Sequence, residues 1–202
     1  MLLFLTSNRQ FMITLFRKEL ISFLGSVIGY MVFCVFLATM GLFLWIFPNE
    51  MNVFESGYAS LQPLFFLAPW ILIFLIPAIT MRSFADEKKL GTIELLLTKP
   101  VSDAQIVLSK FFASLVLVVI AILPTLMYYF TVYQLGNPVG NIDSGAFWGS
   151  FIGLLFLSAA YCAIGIFASS ISENQIVSFI LALFLCFFWY ICFSSISSLN
   201  WL

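Results

Sequence analysis

Between Arg82 and Gln105 the chain carries a short charged island, and on either side of it the sequence is almost uninterrupted hydrocarbon for the length of a membrane span. Few arrangements constrain a fold more. The apolar flanks must leave water and the island must stay in it, so the chain has to cross a bilayer on both sides of this point. The island holds Arg82, Asp86, Glu87, Lys88, Lys89, Glu94, Lys99 and Asp103, and among them Leu95, Leu96 and Leu97, three leucines that belong to no span. Those leucines need cover. The bilayer interface or the chain's own helices can supply it, or a groove on another protein can; of the two, the groove is favoured.

Composition agrees with a membrane protein. Of 202 residues 63% are hydrophobic and 8% charged, where a soluble domain carries about 25% charged residues. A bilayer core needs about 20 apolar residues per helix, and five segments meet that need: Phe23–Phe47, Leu64–Ile79, Ile106–Leu135, Ala146–Ser170 and Ile176–Ile196. The fold class expected is an all-α integral membrane protein of about five transmembrane helices. Pro124 lies inside the third segment and Pro69 and Pro77 inside the second, so both should bend or kink.

The basic residues set an orientation. Arg9, Arg17 and Lys18 precede the first span, and Arg82, Lys88, Lys89, Lys99 and Lys110 belong to the island and its far edge, while loops 48–63 and 136–145 contain no Lys or Arg. The positive-inside rule then places the N-terminus and the island in the cytoplasm, and parity puts the C-terminus outside. Met1–Leu5 lacks a basic n-region and is too short for a signal peptide.

Phe11, Met12, Leu15, Phe16 and Leu20 recur at helical spacing, whereas Arg17 and Lys18 lie mostly elsewhere on the wheel. This describes an amphipathic helix along the cytoplasmic interface, with a merely topogenic basic flank as the plainer alternative. Within the island Gly91 can end one short helix and Thr92 can cap another, with Glu94 in its first turn; Pro100 stops it. Ser102-Asp-Ala-Gln105 fits a capping box, and Val101 with Ile106 a hydrophobic staple, for the third span. Residues 92–98 should therefore form a short helix held between two spans.

Several chemistries are excluded. No histidine is present, which removes the commonest general base and metal ligand. No phosphate loop occurs, so the chain does not hydrolyse ATP alone. Lys110 is the one ionisable residue of the spans, near enough to the interface to snorkel. Cys34, Cys162, Cys186 and Cys192 form no C-x-x-C pair and read as small buried hydrophobes. No basic stripe suggests nucleic acid, and neither catalysis nor a cofactor of the chain's own is expected. The aromatic runs Phe65-Phe66 and Phe187-Phe188-Trp189-Tyr190 read as lipid-facing or packing residues rather than the lining of a path. Gly149 and Gly153 make a small-xxx-small face, expected to pack within the subunit, with a dimer seam as the alternative.

Three segments, Ala68-Pro-Trp70, the stretch from Ile76 to Pro100, and Tyr133 to Asp143, resemble the ABC-2 type permeases. The Gly136–Asp143 loop with Asn174-Gln175-Ile176 narrows the resemblance to the gliding-motility-associated ABC transporter permeases; it covers residues 13–196. It implies a coupling helix that docks on a separate ABC ATPase subunit, which would bind the ATP. Carried over, this helix falls on Thr92, Ile93, Glu94, Leu95, Leu96 and Leu97, flanked by Asp86, Glu87, Lys88, Lys89 and Gly91. It also implies an interfacial connector matching Phe11, Leu15, Phe16, Arg17 and Lys18, a second permease subunit (identical or related), and a bacterial inner-membrane location. The chain so divides into an N-terminal extension and connector, 1–22, and a transmembrane domain, 23–202, with its coupling segment at 82–105. Permeases of this family usually have six spans, so five points to truncation, and Met1–Phe11 reads as an extension with Met12 as the working start. The function implied is ATP-driven export; the alternative is a membrane scaffold that recruits a cytoplasmic partner without transport.

Overall fold

Gly25 and Ser26 decide how the chain enters the membrane-length helices. In the computed structural model, which describes residues 2–97 and 102–199 and the side chains of 12–94 and 102–196, helix α1 (Leu2–Leu24) ends there. Ser26 is the N-cap of α2 (Val27–Gly41), its Oγ accepting from the Gly29 amide at 3.1 Å. The elbow is tight. A Cβ on Gly29 would stand 2.4 Å from the Phe23 carbonyl oxygen, so only glycine fits. The first span therefore runs from Val27 to Ile46, finishing in a π turn at Leu42–Ile46. It does not start at Phe23, which stays buried at the end of α1. The N-terminal helix begins at Leu2, so it extends back beyond Phe11, the first residue of the amphipathic pattern.

After a loop, α3 (Gln62–Thr80) passes through Pro69 and Pro77 without interruption. Both prolines are buried within the bundle, a setting in which membrane helices tolerate them. A turn leads to α4 (Ala85–Lys89) and α5 (Thr92–Leu97), so the helical run that contains the second span extends past Ile79 into the charged island, as far as Lys89. Gly91 separates the two short helices at φ +68°, the left-handed geometry that glycine adopts without strain. Thr92 departs from the expected cap. It lies inside α5, and its hydroxyl donates to the Glu87 carbonyl at 3.3 Å.

The capping box is present at the start of α6 (Asp103–Ile122): Ser102 N–H donates to Gln105 Oε1 at 3.2 Å. The staple partner Val101, like Pro100, lies outside the described residues. Pro124 interrupts the third span, where a 3-10 turn at Leu123–Thr125 separates α6 from α7 (Leu126–Leu135). Two long helices follow, α8 (Ser144–Ile171) and α9 (Gln175–Leu199), and no strand occurs among the described residues. The fold is all-α with five helices able to span a membrane.

Helix α3 is the hub, packed against α2, α6, α8 and α9. Leu72, Ile73 and Ile76 from α3 meet Phe36 and Met40 of α2, Val118 and Ile122 of α6, Cys162 of α8 and Cys186 of α9 in one core. The first and last spans bury far less of themselves than α3 and lie at the periphery. Accordingly Phe66, Phe184, Phe188 and Trp189 are exposed apolar rings, while Phe65 packs on Phe147 at 5.4 Å and Trp70 on Tyr190 at 5.1 Å. The aromatic runs thus divide between packing and an outward apolar face. Cys162 and Cys186 are buried as expected; Cys34 is exposed, because it sits on the outward side of the peripheral α2.

Candidate functional site

A buried lysine organises the charged end of the bundle. Lys110 sits in the second turn of α6 with its side chain fully buried, and its ammonium lies 2.7 Å from Glu19 Oε1 on α1 and 3.0 Å from Glu87 Oε2 on α4. The Glu87 contact has ion-pair distance but lies off the hydrogen-bonding direction. A second hydrogen bond goes to the Ser83 carbonyl, and the Phe84 ring lies 4.8 Å below the ammonium. Lys110 therefore does not snorkel. Three elements close over it before its chain can reach water, and paired carboxylates supply what water would have.

Glu19 is the residue sequence reasoning missed. It occupies the polar side of α1 and looks there like one more solvated charge, yet it is the shortest partner of Lys110. The signal was present: a lone lysine inside a span needs a counter-ion, and Glu19 and Glu87 are the acids that adjoin the same end. Glu87 also receives Lys18 at 3.4 Å, an exposed pair of little energetic weight.

The island is tied to the α8–α9 turn as well. Ser169 Oγ accepts from the amides of Phe84 and Ala85 at 3.0 and 3.2 Å and donates to the Met81 carbonyl at 3.1 Å. Lys88 Nζ donates to the Ser170 carbonyl, and Gln175 Nε2 to Asp86 Oδ1. No sequence motif announces Ser169; only tertiary packing brings it to the orphan amides at the start of α4.

The residues expected to form the coupling segment and the connector are brought together in part. Ile93 of α5 packs half-buried against Phe84, Ile106 and Ile166, where Leu15 of α1 also docks. Lys89, Gly91, Thr92 and Glu94 are exposed. Phe16 is half-buried, and Arg17 and Lys18 are exposed, as the wheel suggested. The side chains of Phe11, Leu95, Leu96 and Leu97 lie outside the described residues.

At the other end of α8 the glycines behave differently from expectation. Cβ atoms on Gly149 and Gly153 would meet nothing within 4 Å, so this face does not pack within the subunit. The close approach occurs at Gly165 instead, where a Cβ would stand 2.1 Å from Thr80 Oγ1 of α3.

Five membrane-length helices with one cross-braced charged end are the architecture of a multi-pass membrane component. Residues 7–200 match the family described as ABC-2 family transporter protein. The chain belongs to the ABC-2 transporter family. Its role is that of a transport permease, and membership implies a separate ATPase subunit as partner and a membrane as its setting. Among curated proteins and among solved structures, nothing matches this permease.

Proposed function

We propose that this permease is the membrane half of an ATP-driven exporter, with α4 and α5 as the cytoplasmic contact for its ATPase and α1 as an interfacial connector. The narrower resemblance supports service in gliding motility, with ATP bound only by the partner. The observation that carries the reading is how α4 is anchored: Glu87 reaches α6 through Lys110 and α1 through Lys18, Asp86 reaches α9 through Gln175, and Lys88 reaches the end of α8. A displacement of α5 by a closing ATPase would act on those helices together, moving the spans as a hinge or rigid body. Two permease chains, identical or related, would form the path. The open Gly149–Gly153 face of α8 is the surface on which a second helix could approach closely.

The deciding experiment is co-purification of the tagged permease from its native membrane in mild detergent. A stoichiometric protein bearing a phosphate loop should accompany the parent chain and be lost on Leu96→Asp, while membrane insertion persists. An ATPase that remains bound to Leu96→Asp sinks the assignment of α5. A parent chain recovered without any ATPase favours a recruiting scaffold over a transporter.

A further inference from the structure

A cavity of about 370 Å³ lies at the charged end, between α1, the segment from Ile79 to Glu87, and the first turns of α6. That is within the range of small-molecule sites, about 300–1,000 Å³. On each wall the lining changes from charged to apolar within one or two helical turns: Lys18 to Phe23, Arg82 back to Ile79, Lys110 to Leu117. Because α3 and α6 run from membrane-length helix into the island, this gradient places a polar mouth beside an apolar floor. An amphipathic ligand matches it.

The charges specify the ligand further. Three cations (Lys18, Arg82, Lys110) and three carboxylates (Glu19, Asp86, Glu87) line the cavity. Lys110, Glu19, Glu87 and Lys18 are engaged with one another. Arg82 is not. Its Nε is shut off from solvent without an acceptor, and no carboxylate lies within ion-pair distance of it among the described residues. Asp86, one turn on, bonds instead to the neutral amide of Gln175, and no cation lies within ion-pair distance of it among the described residues. A sequestered guanidinium nitrogen without a partner is costly, and its planar fork is shaped for phosphate oxygens. A balanced cavity with one free cation and one free anion suits a ligand that carries both signs.

We propose that this cavity seats the headgroup of a zwitterionic phospholipid, its phosphate on Arg82 and its ammonium on Asp86, with the apolar walls taking the start of the acyl chains. The site rests only on the permease's place in a membrane and stands or falls apart from the ATPase contact.

Native mass spectrometry of the full chain in mild detergent, titrated with an ethanolamine or a glycerol phospholipid, tests it. The parent should retain one ethanolamine lipid with a preference of roughly tenfold, the factor that 1.4 kcal/mol represents. Arg82→Gln should lower retention of both lipids by a similar factor, and Asp86→Asn should erase the preference while keeping a bound phosphate. Ser22→Trp fills the cavity from an exposed lining position and leaves all six charges in place; it should also expel the lipid, which guards against misfolding of the Arg82 variant. Retention unchanged in Arg82→Gln and Ser22→Trp, or a glycerol lipid preferred by the parent, overturns the proposal. So does saturation by inorganic phosphate that neither lipid displaces, which would mark a site for soluble anions.

Discussion

The two ends of the bundle are held together by different physics. At the charged end, ties join residues 69 to 91 positions apart: Lys18 with Glu87, Ser169 with Phe84 and Ala85, Lys110 with Glu19. At the opposite end the side-chain bonds are mostly local, the longest joining Tyr129 of α7 to Ser144 of α8 at 2.8 Å across 15 positions. Asn49 Oδ1 accepts from the Met51 amide, and the Asn52 side chain bonds the Phe47 carbonyl and the Phe54 amide, both at 2.9 Å. What crosses between elements there is chiefly aromatic: Trp45 against Phe54 at 5.1 Å and Tyr128 at 5.7 Å, Tyr129 against Phe147 at 4.5 Å. A buried charge network fails when one partner is lost, whereas ring packing spreads its energy over many small contacts. Loss of one side chain should therefore cost more at the charged end than at the other.

The largest effect should come from Lys110→Met. The side chain is similar in size, but Glu19 and Glu87 are left facing each other in a closed site, and breaking a buried pair from one side costs about 3–5 kcal/mol. Thermal unfolding in detergent should show a large fall in midpoint and yield. The comparison sharpens if Lys110→Met is combined with Glu19→Gln and Glu87→Gln: most of the loss should return, because neutral amides no longer repel. A triple variant as unstable as the single one would mean that packing around the lysine stem, rather than charge, holds this end.

The spans, their number and the concentration of basic residues at one end were legible in the sequence because hydropathy and charge act residue by residue. The capping box at Ser102 and the break at Pro124 were legible too, since both are local backbone chemistry. What escaped depended on who meets whom. Lys110 and Glu19 are 91 positions apart, and a wheel drawn for α1 alone assigns Glu19 to water. Gly165 and Gly153 are equally small residues on one helix, and only the arrival of Thr80 at one of them tells them apart.

Gly165→Ala should cost less, about 1–3 kcal/mol, the usual range for overpacking. Its Cβ would fall 2.1 Å from Thr80 Oγ1, and that hydroxyl is already committed to the Ile76 carbonyl at 2.9 Å. Helices α3 and α8 would have to part. Adding Thr80→Ala removes the nearest atom but leaves the Thr80 Cβ at 2.9 Å, so the rescue should be partial. Complete rescue would show that the helices already have slack at the charged end.

Asn52→Ala probes the other end. Asn52 is buried, donating to the Phe47 carbonyl and accepting from the Phe54 amide. Its partners are loop backbone beside exposed residues and can turn to water, so about 1 kcal/mol should be lost. A fall as large as that of Lys110→Met would break the contrast between the ends and make this loop a second keystone.

Gly153→Ala should have the smallest effect on the isolated chain, within about 0.5 kcal/mol, since its Cβ would meet nothing within 4 Å. That neutrality makes it a clean probe of association. Gly149 and Gly153 lie one helical turn apart on the open face of α8, and a helix from a second permease chain can approach there only while both lack side chains. Gly153→Leu should then leave the monomer's unfolding midpoint in place while abolishing the cross-link between two tagged copies in membranes. If the cross-link persists with Gly153→Leu and Gly149→Leu combined, the face looks onto lipid, and the proposed second permease chain would meet this one through another of the peripheral spans.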